Sequence, residues 1–376
     1  MKTHRKVLRQ LKIQLKYLRQ FIKFYLARCG IYPKINLNLQ LIDSTDLPDC
    51  LKCTLKQMAI SGYPGTINFI KSYLFNAIKL IKIREQIEVE GPILVCAVKN
   101  DLVRIKMQVE HHRNIGVKEF IYIDNMSTDG TFEWLSKQND VTLYKVETPY
   151  DSSTRSGWIQ LALKQEGYSK WYLILDSDEL FAYPNMEITS IQKYISFLEK
   201  KQITTTTTPL IDMYSKSKMF DADPHEDIKT AYCFFDIFYL KGRYYTNWFF
   251  SGGPRLRLFS MEGGLIKHSL LKVEENTVFR AHSVFPFKRN FEAGVNAFLL
   301  HYKFLPDDRQ KYQDIIEKGN YANGSKEYKA YIEVYKRNPD ISFYYSGSQK
   351  LNNSMDLLKI NITDKTFFKE FLEWLQ

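Results

Sequence analysis

The chain has 376 residues, 44% of them hydrophobic, and a formal net charge of +11 from 53 lysines and arginines against 42 aspartates and glutamates. This much apolar material excludes a disordered chain, and the length fits about two domains. Ten basic residues and no acidic residue lie in residues 1–42, so the remainder of the chain is nearly neutral. A nucleic-acid-binding body needs a basic stripe, and we therefore expect no nucleic-acid partner.

Residues 1–34 are predicted to form a basic amphipathic helix. Between residues 4 and 28, leucine and isoleucine recur every three or four positions, and lysine and arginine recur in the same rhythm on a neighbouring face. Charges this frequent exclude a membrane-spanning helix, but such a helix can lie on an anionic membrane surface. The alternative is a helix packed on the protein itself or on a partner. Without a recognisable secretion signal, we expect a cytoplasmic protein, peripheral at the inner face of the cell membrane if this helix binds lipid.

Residues 35–90 are predicted to be an N-terminal extension with an apolar helix over 67–83 and no recognisable chemistry. After residue 91, apolar strand-like runs alternate with helical segments. Strands are predicted over 93–98, 120–123, 141–146 and 171–175, and helices over 102–114, 130–138 and 157–166. This alternation predicts a parallel sheet, in which ligands bind beyond the carboxyl ends of the strands.

Polar clusters follow the first, second and fourth of these strands. They are Lys99-Asn100-Asp101, residues 124–131 and Asp176-Ser177-Asp178-Glu179. In an extended segment Asp176 and Asp178 point the same way, and paired carboxylates on an open loop suit Mg²⁺ or Mn²⁺. Such a pair alone is weak evidence because turns are rich in aspartate, but its position after a buried strand strengthens it.

This series of motifs resembles the GT-A glycosyltransferases, and within them the bacterial-type, family 2-like group with an Asp-x-Asp-Glu motif. The first strand of that group ends in Lys-Asn-acid, the second in Asp-Asn-x-Ser-x-Asp-Gly-Thr and the fourth in Asp-x-Asp-Glu. Downstream, residues 253–259 resemble its Gly-x-Arg-x-Arg-x-Phe element and residues 301–304 its His-[Phe/Tyr]-Lys-Phe element. The resemblance covers about residues 93–358.

The resemblance implies a Rossmann-like mixed sheet with helices on both faces, followed by a helical C-terminal region. Residues 91–260 would form the nucleotide-sugar-binding and catalytic core, and residues 261–376 the helical region on the acceptor side.

Roles for individual residues also follow from the resemblance. Nucleotide-sugar binding is implied for Ala97, Asn100, Asp124, Asp176, Arg255, Arg257 and Lys303, and binding of Mn²⁺ or Mg²⁺ for Asp176, Asp178 and His301. Two alternatives stay open. An isolated histidine is more often structural, and the two arginines, which alternate on a strand-like segment, could instead form surface salt bridges.

Sugar transfer with inversion needs a general base to take the proton of the acceptor hydroxyl. Glu179, Asp212, Asp236 and Glu262 are candidates. We favour Asp236, since residues 233–239 are predicted to form a buried strand, and a buried carboxylate is costly unless it has a partner or a function. We keep Glu179 as a second catalytic candidate. A core aspartate bonded to the backbone is the alternative for Asp236.

The resemblance implies a metal-dependent glycosyltransferase that moves a sugar from a nucleotide-diphosphate donor, a UDP-sugar, to a glycan or lipid-linked acceptor. Its setting would be the synthesis of cell-surface polysaccharide or lipopolysaccharide. A second enzyme class is a metal-dependent nucleotidyltransferase or pyrophosphohydrolase, because an Asp-x-Asp motif after a parallel strand serves any diphosphate. A remote third class is a non-catalytic membrane adaptor built around the basic helix.

Overall fold

The computed structural model describes residues 39–60, 66–75, 78–85, 91–150, 152–222, 227–244, 247–280, 282–319 and 322–376. The predicted basic helix at residues 1–34, and with it the predicted membrane contact, lies outside the described residues. None of the helices within those ranges is both long enough and apolar enough to cross a membrane.

The first half of the described chain alternates strands and helices. It contains α1 (Asp49–Ile60), α2 (Thr66–Phe75), β1 (Lys79–Lys82), β2 (Ile93–Val98), α3 (Leu102–Asn114), β3 (Glu119–Asp124), α4 (Thr131–Ser136), β4 (Val141–Lys145), α5 (Ser152–Glu166), β5 (Lys170–Leu175), β6 (Glu179–Ala182) and α6 (Ile191–Lys200).

The second half has shorter elements. It contains β7 (Thr208–Asp212), α7 (Ile228–Ala231), β8 (Phe234–Phe235), β9 (Tyr239–Tyr244), β10 (Asn247–Gly252), α8 (Gly253–Phe259), β11 (Ile266–Lys267), β12 (Leu270–Val273), β13 (Val278–Arg280), β14 (Ser283–Phe285), a 3₁₀ helix (Phe287–Phe291), β15 (Phe298–His301), α9 (Asp308–Lys318), α10 (Ala322–Arg337), β16 (Gln349–Lys350), a second 3₁₀ helix (Ser354–Lys359) and α11 (Lys365–Leu375).

The largest sheet has the strand order β1-β4-β3-β2-β5-β12. The four central strands are parallel, and β1 and β12 pair antiparallel at the two edges. This confirms the four predicted strands and the mixed sheet. The chain order reverses between β2 and β5, and a crevice forms at the carboxyl ends of strands where such a reversal occurs.

Hydrophobic cores cover both faces of this sheet. Alternate side chains of β2 point to opposite sides, so Leu94 packs in one core with residues of α3 and α6, whereas Val95 packs in another with Trp158 of α5. Each fully buried aliphatic side chain of this kind contributes roughly 1.5–3 kcal/mol. The prediction of helices on both faces is therefore confirmed.

One predicted helix is wrong in its second half. The apolar segment at 67–83 was expected to be helical throughout, but α2 ends at Phe75 and Lys79–Lys82 forms edge strand β1, which pairs with β4. The spacing of apolar residues in a short run does not distinguish a helix from a strand. Here residues 79–82 pair with the otherwise free edge of the sheet at β4 and therefore form a strand. The predicted helical C-terminal region is also incomplete, because β11 to β16 lie within residues 261–376. The predicted domain boundaries stay predictions.

A second, four-stranded sheet has the order β11-β7-β15-β6. Its central strand β15 pairs antiparallel with β6 and parallel with β7. The register places His301, the last residue of β15, opposite Glu179 of β6 and beside Asp212 of β7. Three chemically active side chains from distant parts of the sequence are thereby brought to one point.

Candidate active site

A cavity of about 330 Å³ lies at the carboxyl ends of β2 and β5, where the sequence predicts the site. Its wall includes these predicted residues: Ala97, Asp176, Asp178, Glu179, Arg255, His301 and Lys303. The described wall does not include the other predicted residues, which are Asn100, Asp124, Asp236 and Arg257. We call this cavity the first pocket.

The loop after β5 is held in place by ion pairs and hydrogen bonds. Both carboxylate oxygens of Asp176 contact cations, one the Arg155 guanidinium and the other the Lys267 ammonium group. The Asp176 backbone N–H donates to Glu179 Oε2 at 2.9 Å, and the Gln108 amide donates to the Asp176 carbonyl at 2.6 Å. Both oxygens of the Asp176 carboxylate are thus paired with cations, and Asp176 is not part of the group in the described chain that could hold a metal ion.

Asp178, Glu179 and His301 form a group that could hold a metal ion. One ligand atom from each lies within 4.8 Å of the others, among the residues that the structure describes. The His301 Nε2 atom is 3.1 Å from Asp178 Oδ2, and Glu179 Oε1 is 2.5 Å from the Lys267 ammonium. Two carboxylates and one imidazole suit a divalent ion such as Mn²⁺. Two of the three predicted metal ligands, Asp178 and His301, thus belong to this group.

His301 lies between two carboxylates. Its Nδ1 atom is 2.6 Å from Asp212 Oδ1, on the side away from Asp178. Burial lowers the pKa of His301, but the charge and hydrogen bond of Asp178 and the hydrogen bond to Asp212 outweigh burial and raise it. Burial raises the pKa of Asp178, yet the neighbouring His301 brings it well below its ordinary value. Arg255 then holds Asp212 with two hydrogen bonds of 2.8 Å.

Two further cations of the pocket share one carboxylate. Arg255 Nη1 and the Lys303 ammonium each lie 3.4 Å from Glu327 Oε1. Burial raises the pKa of Glu327, but Lys303 and Arg255 lower it to about 2. The Lys303 ammonium also lies 5.0 Å from the centre of the Tyr328 ring. Arginine and lysine are the side chains that bind phosphate groups, and in this structure Asp212 and Glu327 pair Arg255 and Lys303.

The expected strand around the two arginines is wrong. Gly253–Phe259 is helix α8, which begins with proline in its first turn and packs Phe259 against Tyr331. Residues two apart on a helix are about 200° apart around its axis, so Arg255 and Arg257 face opposite ways. Arg255 lines the first pocket, whereas Arg257 donates to the Phe343 carbonyl at 2.8 Å.

Asp236 lies away from the first pocket. It is buried after the two-residue strand β8, and its carboxylate accepts hydrogen bonds from the Tyr214 hydroxyl at 2.5 Å and from Arg257 Nε at 3.2 Å. The predicted longer strand over 233–239 does not form. The carboxylate is therefore buried as the partner of an arginine, and its position does not support the prediction that it is the catalytic base.

Asp124 and Asn100 shape the loops beside the first pocket. Asp124 Oδ1 accepts a hydrogen bond from the Ser127 backbone at 3.0 Å, while Oδ2 is buried and has no hydrogen-bond partner within the described part of the chain. Asn100 has a positive φ of 49°, and its Oδ1 accepts from the Thr128 backbone at 2.7 Å. Asn100 thus ties the loop after β2 to the loop after β3.

Lys267 and Asp101 are pocket residues to which the sequence analysis gave no role. Lys267 is only 2% exposed, on the short strand β11. A lysine within an apolar, strand-like run was a usable signal, since lysine is almost never fully buried unless it is paired. Asp101 is held by Arg104 Nη1 at 3.0 Å and also accepts a hydrogen bond from Ser177 of the acidic loop.

Comparison with known proteins gives only distant likenesses. No protein-family model and no curated protein matches the chain. The structure of S. aureus TarS 1-349 matches at 11% identity and a TM-score of 0.27, over 65% of this chain and 72% of that one. A Pyrobaculum calidifontis mannosyltransferase, PcManGT, in complex with GDP-Man and Mn²⁺ matches at 13% and 0.23, over 42% and 44%. A nucleotidyl transferase from Methanothermobacter thermautotroptrophicus matches at 12% and 0.25, over 65% and 96%.

At these scores the likenesses assign neither a fold nor an activity. The fold and the site themselves define a mixed α/β protein with a charged pocket at the carboxyl edge of its main sheet. Any function has to be derived from that pocket.

Proposed function

We propose that the protein is a metal-dependent glycosyltransferase that moves a sugar from a nucleotide-diphosphate donor, a UDP-sugar, to a hydroxyl group of a glycan or lipid-linked acceptor. One observation carries the proposal. The first pocket combines a metal-competent group (Asp178, Glu179 and His301) with cations from four separate parts of the chain. These cations are Arg155, Arg255, Lys267 and Lys303. The order of motifs that resembles GT-A enzymes agrees with this chemistry.

One set of residues would bind the metal and the diphosphate, and a second set would bind the nucleoside. Asp178, Glu179 and His301 would hold Mn²⁺ or Mg²⁺, which neutralises the charge that develops on a diphosphate leaving group. Arg255 and Lys303, now paired with Asp212 and Glu327, would contact the diphosphate. Ala97 and Asp124 are assigned to the nucleoside, as the resemblance implies.

Transfer forms a bond between the acceptor oxygen and the anomeric carbon. The bond from that carbon to the diphosphate breaks, the diphosphate leaves with the bonding electron pair, and the hydroxyl proton passes to a base. Glu179 is fully buried beside Lys267, and Asp236 lies outside the wall of the first pocket. We assign the base to Asp101, whose carboxylate lines the pocket next to Ser177.

A panel of nucleotide sugars tests the donor. In the presence of Mn²⁺, a UDP-sugar should raise the melting temperature of the protein, since a ligand that binds the native state stabilises it. Product analysis should then find UDP and a lengthened acceptor. UMP or pyrophosphate would instead identify a nucleotidyltransferase or pyrophosphohydrolase. Stabilisation by no nucleotide sugar would overturn the proposal, and full turnover in EDTA would overturn the metal assignment.

The cellular setting is proposed on the sequence alone. Membrane contact through residues 4–28, work at the inner face of the cell membrane and a part in cell-surface polysaccharide synthesis stay predictions. A vesicle-binding assay that compares the full chain with a form lacking residues 1–34 tests the first of these. Equal binding of both forms to anionic vesicles would contradict it.

A further inference from the structure

A second cavity of about 680 Å³ opens beside the first pocket. The start of α3 forms one wall, with Val103 as a wall residue, and α9 with the loop before it forms the other, with Gln310 as a wall residue. Neither of these two side chains belongs to the wall of the first pocket. A volume of this size is typical of a cavity that binds a small organic ligand.

The two cavities adjoin at Asp101. Asp101, Arg104 and Lys311 each line both of them. Asp101 accepts a hydrogen bond from Ser177, which stands between the two aspartates of the acidic loop, and Asp101 Oδ1 lies 3.3 Å from the Lys311 ammonium. A ligand in the second cavity would therefore lie beside the Asp101 carboxylate, which is bonded to the acidic loop.

The wall of the second cavity is balanced in charge and partly apolar. Four lysines and arginines face five aspartates, and apolar or aromatic side chains such as Leu102, Val103 and Tyr232 lie between them. A polyanion would find no net positive charge on this wall, and a purely apolar chain would desolvate its charged groups without replacing their hydrogen bonds. A neutral polyhydroxylated ligand satisfies both conditions, because its hydroxyl groups pair with the charged groups while its ring faces pack on the apolar ones.

We propose that the second cavity is the acceptor site and that its occupant is a neutral saccharide chain. This inference rests on the proposed glycosyltransferase function and adds to it the place and chemical class of the acceptor. The chain enters between α3 and α9 and brings one hydroxyl group to the first pocket at Asp101. The donor and the acceptor thus occupy two cavities that share Asp101 as a wall residue.

Tryptophan substitutions that narrow the second cavity test this proposal. Val103→Trp and Gln310→Trp act from opposite walls, and both positions are exposed, so the fold should accept the larger side chain. Ile188→Trp is the matched control, because Ile188 is 84% exposed and lines neither cavity. The donor site is probed by the thermal stabilisation that UDP and Mn²⁺ give. The acceptor site is probed by transfer of radiolabelled sugar from the UDP-sugar of the donor panel to an array of neutral, acidic and phosphorylated glycans.

We expect wild type and Ile188→Trp to label neutral glycans of the array. Both cavity variants should label them about tenfold less or weaker still, with unchanged stabilisation by UDP and Mn²⁺. Undiminished labelling by both cavity variants would overturn the location. Labelling of acidic or phosphorylated glycans alone, or of no glycan while the donor still binds, would overturn the chemical class. Absence of donor binding in the wild type would instead defeat the proposed function, and this inference would fall with it.

Discussion

The two ends of the main sheet both carry paired charges, but in different arrangements. At the amino end of the parallel strands, Arg84 contacts Glu119 at 2.5 Å and Glu166 at 2.6 Å, and it also donates to the Thr142 hydroxyl. We call these residues the amino-end cluster. The Arg84 guanidinium is paired with Glu119 and Glu166 and donates a hydrogen bond to Thr142. None of the residues in the amino-end cluster lines either of the two cavities.

At the carboxyl end, charges form a chain that opens into the first pocket. His301 links Asp178 to Asp212, and Arg255 links Asp212 to Glu327. We call these five residues the carboxyl-end chain. Pairing of charges is common to both ends, so it does not by itself mark a functional site. The distinction is that the carboxyl-end chain presents ligand atoms to a cavity. Changes there should alter binding and turnover, and changes in the amino-end cluster should alter stability.

Asp178→Asn should have the largest effect. Loss of a direct metal ligand removes several kcal/mol of charge stabilisation, so donor turnover should fall by about 10³-fold or more, and stabilisation by Mn²⁺ should disappear. Calorimetric titration with Mn²⁺ and a nucleotide-release assay measure both. Asp176→Asn is the matched control, since Asp176 is paired with Arg155 and Lys267 and should leave Mn²⁺ affinity nearly unchanged. Equal loss of Mn²⁺ affinity in both variants would show that Asp176 is a ligand after all.

Asp101→Asn should have the next largest effect. It removes the proposed base while it keeps the size of the side chain, so kcat should fall by about 10²-fold or more, and the affinity for UDP with Mn²⁺ should stay the same. Steady-state kinetics at saturating acceptor give this result directly. Asp236→Asn, a change of the same kind outside the first pocket, should retain near-normal turnover. If the two variants behave in the reverse way, Asp236 is the base and the assignment of Asp101 is wrong.

Asp212→Asn tests whether the carboxyl-end chain positions the metal group. The Asp212 carboxylate holds Nδ1 of His301 and so directs Nε2 towards Asp178. Loss of such a supporting partner typically weakens metal binding by about 10–100-fold, and we expect that range for Mn²⁺. A titration with Mn²⁺ at neutral pH, with thermal unfolding to confirm the fold, measures it. Asp236→Asn again serves as control, because it is another buried, arginine-paired aspartate. An unchanged Mn²⁺ affinity in folded Asp212→Asn would contradict the positioning role.

Local sequence patterns were sufficient for the four central strands of the main sheet and for the position of the acidic loop. The apolar runs of β2 to β5 and the polar residues after them identify the carboxyl edge without knowledge of the rest of the chain. They could not identify the partners of His301. Asp212 and His301 are 89 residues apart, and the register of β7 and β15 brings them together. That register depends on the packing of the whole second sheet, which no short pattern encodes.

The alternation of basic and apolar residues at α8 led to the wrong prediction of a strand. Arg255 and Arg257 stand two positions apart, which is typical of a strand, but proline in the first turn and the packing of Phe259 favour a helix. A strand would have placed Arg255 and Arg257 on one face, whereas the helix places only Arg255 in the wall of the first pocket. The catalytic role of Asp236 stays a prediction, and the structure adds a partner for its carboxylate. A buried carboxylate needs a partner, and the sequence could not show that Arg257 of this helix is the partner.

Glu166→Gln should have the smallest effect, and on stability alone. Burial raises the pKa of Glu166, but the hydrogen bond and charge of Arg84 outweigh burial and lower it. A carboxyl group with a lowered pKa stabilises the folded state above its unfolded pKa of about 4.3, and the stabilisation is lost as the pH falls through the folded value. Wild type should therefore exceed Glu166→Gln by about 1–2 kcal/mol in unfolding free energy at pH 7, and by progressively less below about pH 4.

Urea unfolding of both proteins between pH 7 and pH 3 measures this difference, and donor turnover of Glu166→Gln at pH 7 should equal that of wild type. A difference in unfolding free energy that does not change with pH would show that the ion pair to Arg84 is not its source. Loss of turnover without loss of stability would contradict the division between the two ends of the sheet. The amino-end cluster is as well paired as the carboxyl-end chain, but its residues line neither of the two cavities. The division between the two ends of the sheet therefore holds only if changes in the amino-end cluster affect nothing but the stability of the fold.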